Sequence, residues 1–333
     1  MSRHKKHKKS KRKFSVFLYL VLGLIAVWLV VGIFVYAPAG IFFNNAQKTA
    51  SVYVYPKNPK QGDTVFIKVK SQASDITGNF ENEKIVFYKA NSQEWIGFLG
   101  IDADQNPGDY KVSVDTSKTE HLTNDITVAL ADFSTAATVT APSSQKTGIT
   151  TIKALDNIRK SDNPALSKVL DNPTLQPYFT SPFSFPLSAM QKTGFSFGKF
   201  IGFAKDKTQH LGVDLRALEK TSVYSVNEGR VVATLNLSNY GKTVIIDHGL
   251  DIFSMYLHLE EFKVFEGQIV KKGQIIGLSG DTGYVTAPHL HFSMRVGGAR
   301  VDPIAFIETT QQMNNNSFLA SIGNAILNIF NQK

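Results

Sequence analysis

Three short clusters in the second half of the chain hold side chains that could do chemistry: His210-Leu-Gly-Val-Asp214, Tyr256-Leu-His258-Leu259 and Pro288-His289-Leu-His291-Phe292. Imidazole and carboxylate are the donors that catalytic zinc uses, typically three protein ligands with a fourth position kept for water. In an extended chain side chains repeat every two residues, so His289 and His291 share one face, as do His210 and Asp214. On a helix His289 and His291 would diverge, so the spacing predicts strands. The same alternation puts Tyr256 on the face of His258, where it would reach substrate or pack as a groove wall. The chain has no cysteine, which excludes thiolate ligands and a Cys nucleophile. There is no His-Glu-x-x-His pattern either, so proton transfer falls to histidines.

The elements around these clusters carry a resemblance. His210-x-Gly-x-Asp214, Asp247-His248-Gly249, Tyr256-Leu-His258, Val270-Lys-Lys-Gly273-Gln-Ile-Ile-Gly277, Gly280-Asp-Thr-Gly283, His289-Leu-His291-Phe292 and Val301-Asp302-Pro303 stand in one order. From about Thr180 to Phe306 this resembles the lysostaphin/LytM family of zinc metallopeptidases, which cut peptide bonds in bacterial peptidoglycan. The resemblance implies a Zn2+ cofactor held by His210, Asp214 and His291, with His258 and His289 as catalytic residues facing water and substrate. Under it His289 helps to deprotonate the water and His258 donates a hydrogen bond to the tetrahedral oxyanion, an assignment that can be reversed. His248, in a strand-to-turn element, reads as structural. The glycines at 273, 277, 280 and 283 lack the Lys-Ser/Thr ending of a phosphate loop and read as turns.

The rest of the chain must carry and place this domain. Its 333 residues suggest two domains, and its net charge of +9 is local: residues 1–13 hold eight Lys or Arg and no acid, leaving the remainder at +1. That distribution argues against a nucleic-acid partner. Phe14 to Ala37 is uncharged and apolar, and as a helix it would reach ~35 Å, enough to span a bilayer core. The positive-inside rule then sets residues 1–13 in the cytoplasm and the catalytic domain on the extracytoplasmic side. Ala37-Pro-Ala39 resembles a signal cleavage site, but the apolar run is long for a signal peptide and an uncleaved anchor in the cell membrane is preferred.

Alternating β-branched and aromatic segments separated by Gly, Pro and Asp turns mark residues 45–140 as an immunoglobulin-like β-domain. Asp102, Asp104 and Asp109 miss the spacing of a calcium loop and read as turn residues. Residues 145–175 read as a linker of two short helices broken at Asn163-Pro164. This linker either packs on the domains or lies across the catalytic groove, delivering Asn163 or Asn172 to the metal. Residues 178–308 are the metallopeptidase domain. Phe318, Ile322, Ala325, Ile326, Ile329 and Phe330 recur at helical spacing, predicting an amphipathic C-terminal helix over 315–331.

The fold class expected is mainly β: a transmembrane helix, a sandwich, a short helical linker and an antiparallel catalytic sheet with an open groove. The function expected is hydrolysis of peptidoglycan cross-links or stem peptides by a zinc-activated water. The competing class is a LytM-type regulator that activates a cell-wall amidase without catalysis, against which retention of all five site residues argues. Partners follow from this: peptidoglycan, the membrane through 14–37, and cell-wall, division or elongation proteins.

Overall fold

The computed structural model describes residues 50–116, 120–133, 151–191, 197–203 and 206–314. The basic tail, the apolar run 14–37 and the C-terminal helix anticipated over 315–331 lie outside them. Among the described residues no helix is long and apolar enough to cross a membrane.

The first eight strands are β1 (Ser51–Tyr55), β2 (Thr64–Lys70), β3 (Thr77–Phe80), β4 (Glu83–Ile85), β5 (Phe87–Asn91), β6 (Glu94–Gly100), β7 (Gly108–Asp115) and β8 (His121–Val128). They form two four-stranded antiparallel sheets, ordered β1-β2-β6-β5 and β4-β3-β7-β8. Strict alternation divides their side chains. Val65, Ile67, Val69, Trp95 and Leu99 face inward to meet Phe80, Val112, Val114, Ile126 and Val128 of the other sheet. The intervening residues Phe66, Tyr88, Ile96 and Phe98 face the other way and are also buried. They belong to one apolar core with Phe179, Phe183, Phe292 and Phe306 of the second domain. One sheet is therefore covered on both faces, and the sandwich is fused to the second domain. Arg300 seals the seam, its amide and Nε each donating to Asp102 Oδ2 at 2.9 Å and its guanidinium pairing with Asp104 at 2.6 Å. Asp102 and Asp104 thus each pair with Arg300 across the seam, a role that turn chemistry alone did not announce.

The linker is one helical stretch instead of two helices broken at Asn163-Pro164: α-helix over Thr151–Asn157, a π-turn over Ile158–Asp162, then α-helix over Asn163–Leu170. Pro164 lacks an N–H and would clash with the carbonyl four residues back in a regular helix. The wider π-turn just before it accommodates the proline, and the chain continues.

The second domain contains β9 (Phe200–Phe203), β10 (Asp206–Gln209), β11 (Val213–Leu215), β12 (Ser222–Tyr224), β13 (Gly229–Leu237), β14 (Gly241–Asp247) and β15 (Ile252–Phe262). It continues with β16 (Ile269–Val270), β17 (Ile275–Ser279), β18 (Leu290–Val296), β19 (Ala299–Val301) and a helix over Pro303–Asn314. The main sheet runs β11-β18-β15-β14-β13-β16, with β12, β17 and β19 attached, while β9 and β10 pair separately. All pairings are antiparallel.

Candidate metal centre

Register places the site. Asp214 on β11 pairs with His291 on β18, and His291 pairs on its other side with Leu257 of β15. Directly opposed residues share a face, so Asp214, His291 and Leu257 point from the same side of the sheet. His210 arrives from outside the sheet, in the connection between β10 and β11, so the expectation that it and Asp214 share one face of a continuous strand is corrected. Its Nε2 lies 3.0 Å from His291 Nδ1 and 3.2 Å from Asp214 Oδ1, and His291 Nδ1 lies 2.9 Å from Asp214 Oδ1. Two imidazole nitrogens and a carboxylate oxygen therefore converge on one point, the three predicted ligands brought together. Among the described residues this is the group of acidic and histidine side chains close enough to hold a metal ion.

The donor set fits zinc: mixed N and O, three ligands, all within 4.8 Å of one another. The support behind it fits too. His291 Nε2 lies 2.9 Å from Ser293 Oγ, which holds the ring with Nδ1 toward the other ligands. Gly212 makes room for this arrangement. A Cβ there would collide with Ser293 Oγ and approach His291 Nε2 to 2.5 Å, so the central glycine of His-x-Gly-x-Asp is a packing requirement. Burial alone would raise the pKa of Asp214, but hydrogen bonds from His210 and His291 reverse that and hold it well below the usual value. The carboxylate stays charged, as a ligand must.

His258 and His289 complete the cluster, with His258 ring centroids 5.0 Å from His289 and 6.0 Å from His291. Strand alternation does not explain how His258 gets there. Leu257 already occupies the His291 face, so regular pleating would send His258 to the opposite side with Tyr256. Instead His258 adopts φ +60°, between register shifts in the pairing of β15 with β14 and β17. Such irregularities re-aim side chains beside active sites. Tyr256 keeps the regular direction and is wholly buried, accepting a hydrogen bond from Val226 N at 3.0 Å and packing on Phe292. It is a core residue, and the expectation that it shares the His258 face is corrected.

Each of these two rings has its Nδ1 occupied by a backbone acceptor: Thr282 O at 2.8 Å for His258 and Ala287 O at 2.9 Å for His289. Nδ1 must carry the proton to donate there, so a neutral ring presents the Nε2 lone pair to the site. His289 Nε2 lies 3.6 Å from Asp214 Oδ1. Burial, with the neighbouring histidines adding to it, pulls His258 down to about 3, so that ring is neutral. Thr282 and Ser293 are the supporting residues that motif spacing missed. Ser293 could have been found from period two after His291.

His248 is buried and structural, as expected, with Nδ1 donating to Glu228 O and Nε2 facing Ser254 Oγ, both at 2.7 Å. Burial lowers its pKa to about 4. The unfolded chain, with a pKa near 6.5, binds the proton first as pH falls. The stability this group supplies is full above pH 6.5 and is lost between about 6.5 and 4, by about 3 kcal/mol in all. Urea unfolding at pH 7 and pH 4.5 is expected to show this fall, with a shallower slope for His248→Asn; equal slopes in the two proteins would exclude it.

The linker helix rests on the same face of the main sheet. Leu166 packs with Ala233, Ile245, Phe253, Met255 and Leu257, and Leu257 stands directly beside His291. Asp162 is almost fully buried and accepts from Asn239 N at 2.8 Å and Asn239 Nδ2 at 3.1 Å. Asn163 does not reach the metal ligands. Its Oδ1 accepts from Tyr240 OH at 2.8 Å, and Asn172 is exposed.

Comparison with known proteins bears on what this centre belongs to. Residues 208–303 match Peptidase family M23. Peptidoglycan DD-endopeptidase ShyA of Vibrio cholerae is 45% identical over 93 residues, 28% of this chain and 22% of the relative. Glycyl-glycine endopeptidase ALE-1 of Staphylococcus capitis is 33% identical over 142 residues, 38% of each chain, and lysostaphin of Staphylococcus simulans is 36% identical over 126 residues, 35% of this chain and 25% of that one. The chain spans about a quarter of the length of the Vibrio and Haemophilus relatives it matches. A crystal structure from Pseudomonas aeruginosa assigned to peptidase M23 superposes with a TM-score of 0.52 at 22% identity, covering 75% of this chain and 95% of that one. That coverage extends the shared fold beyond the M23 domain. Residues 208–303 thus match Peptidase family M23, and within that span the chain brings His210, Asp214 and His291 together.

Proposed function

We propose that this chain is a membrane-anchored zinc endopeptidase that hydrolyses peptide bonds in peptidoglycan cross-links or stem peptides on the extracytoplasmic side. The observation that carries the reading is the convergence of His210 Nε2, Asp214 Oδ1 and His291 Nδ1, with the rings of His258 and His289 beside them. The relatives named as peptidoglycan endopeptidases support the substrate class. The anchor rests on the apolar run 14–37 and the basic residues before it, and the immunoglobulin-like character of the sandwich on its strand pattern.

Zinc held by the three ligands would supply a water with a pKa near 7 and polarise the scissile carbonyl. The chain's own residues do the remaining work. His289 accepts the water's proton at Nε2, and Asp214, 3.6 Å away, offsets the charge that appears on the ring. His258 is held neutral with its proton on Nδ1, so it orients the water by accepting at Nε2; donation to an oxyanion would require protonation that burial opposes. His289 then returns its proton to the leaving amine.

Mass spectrometry of peptidoglycan treated with the full chain in detergent tests this reading. New peptide amino termini are expected, lost on chelation and restored by zinc. Intact peptidoglycan with zinc-loaded protein, together with stimulation of a cell-wall amidase, would replace it with the regulator.

A second proposal concerns the linker. Because Leu166 seats on the sheet face that bears His291, the docked helix narrows the groove through which substrate must pass.

A further inference from the structure

We infer that the β-sandwich is a working part of the metal centre, with Phe133 a positioning residue for His210; this rests on the metallopeptidase reading above. Two of the three ligands, Asp214 and His291, are set by neighbouring strands of the main sheet. His210 is not. It follows β10, which among the described residues pairs with β9 in a separate two-stranded sheet, and it precedes β11. Something else must hold its backbone.

That support is the segment 197–199. Gly198 N donates to His210 O at 2.7 Å, and His210 N donates to Lys199 O at 2.9 Å, so both backbone polar groups of His210 are tied to it. Gln209 Nε2 adds a bond to Gly198 O at 3.2 Å. The segment is in turn clamped by the sandwich. Phe133, just beyond the last sandwich strand, meets Phe197 edge-to-face with centroids 6.0 Å apart and an interplanar angle of 72°. Its ring also lies against Gly198, so closely that any Cβ there would overlap it, and Gly198 has φ +78°. On the other side Phe197 covers Gly62 of the sandwich, where a Cβ would come within 2.5 Å of the ring. The phenylalanine-glycine pair is held between two points of the sandwich and passes that constraint to His210 through two backbone hydrogen bonds.

Simple adhesion between the domains does not need this contact. Phe66, Phe98 and their partners already bury the interface, and Arg300 seals it. The Phe133 clamp lies where the metal ligand enters, and residues that support ligands typically alter metal affinity or activity by about 10–100-fold when changed.

The test uses the full chain, with zinc affinity from competition with a chelating dye and the visible spectrum of the cobalt-substituted protein. Phe133→Ala is expected to weaken zinc binding about tenfold and to shift the cobalt ligand-field bands, with kcat falling more than KM changes. Phe133→Leu, which keeps an apolar contact, is expected to recover most of both. Gly198→Ala, pressing the segment from the other side, should give a similar spectral shift even if Phe133→Ala folds poorly. Tyr88→Leu, on β5 of the interdomain core, should leave the cobalt spectrum as in the wild type whatever it does to stability. Wild-type spectra and zinc affinities in the folded Phe133 and Gly198 variants would overturn the inference, as would a Tyr88→Leu shift equal to theirs. Failure of the parent reading looks different: a wild type that binds zinc and responds to Phe133→Ala yet cleaves no peptidoglycan leaves the positioning role standing and removes the peptidase assignment.

Discussion

His291→Ala is expected to abolish both zinc retention and peptidoglycan hydrolysis, lowering kcat/KM by at least about 10³-fold. The reasoning is local. His291 Nδ1 sits 2.9 Å from Asp214 Oδ1 and 3.0 Å from His210 Nε2, so it is the ligand that touches both others. A bound metal ion contributes several kilocalories of stabilisation to developing charge, and each 1.36 kcal/mol is tenfold in rate. The fold should survive, because Leu290 and Phe292, its buried neighbours in β18, anchor the strand. Ser293→Ala removes the partner of Nε2 instead of the ligand, and an effect of about 10–100-fold is expected. His258→Ala should separate the roles, keeping zinc while losing turnover. Zinc content after dialysis and steady-state rates on purified muropeptides decide the matter. Stoichiometric zinc with near-normal turnover in His291→Ala would mean that the ligand set has been misassigned.

How far these residues could be read before the fold was known depends on what kind of geometry placed them. His289, His291 and Asp214 were legible because strand periodicity and register govern them, and register is encoded in alternation. The strands of the first domain were legible for the same reason, but not the burial of Phe66, Tyr88, Ile96 and Phe98 on the second face of one sheet, which depends on distant partners. His258 was found by motif, but its direction was not derivable: a positive φ and neighbouring irregular pairing turn its ring onto a face that alternation denies it. Tyr256 follows the rule that His258 breaks, which is why pairing the two on one face failed. The Asp102–Arg300 link joins residues nearly two hundred positions apart, and no local pattern encodes such a partner. Asp162 and the π-turn were hidden by Pro164, since a proline at that place reads as a break unless the preceding turn widens to receive it.

The linker supplies the other large effect. Leu166→Asp is expected to raise kcat/KM on soluble cross-linked muropeptides by roughly tenfold or more. Leu166 is nearly buried against Leu257 and Met255, and full burial of a leucine contributes about 2 kcal/mol. If docking is favoured by about that much, the undocked state is only a few per cent populated, and apparent affinity for any ligand that needs the open groove is reduced by that fraction. A buried carboxylate in place of the leucine reverses the preference. Asp162→Ala acts at a second point, removing the acceptor that Asn239 N and Nδ2 share, and should change the rate in the same direction. Hydrogen exchange separates the two ways this can end. Faster exchange over 151–170 with a higher rate marks the helix as a cover over the groove. Faster exchange with an unchanged or lower rate marks it as a buttress, because Asn239 and Tyr240, which it grips, also hold the amide of His258 through the Tyr240 carbonyl at 3.0 Å.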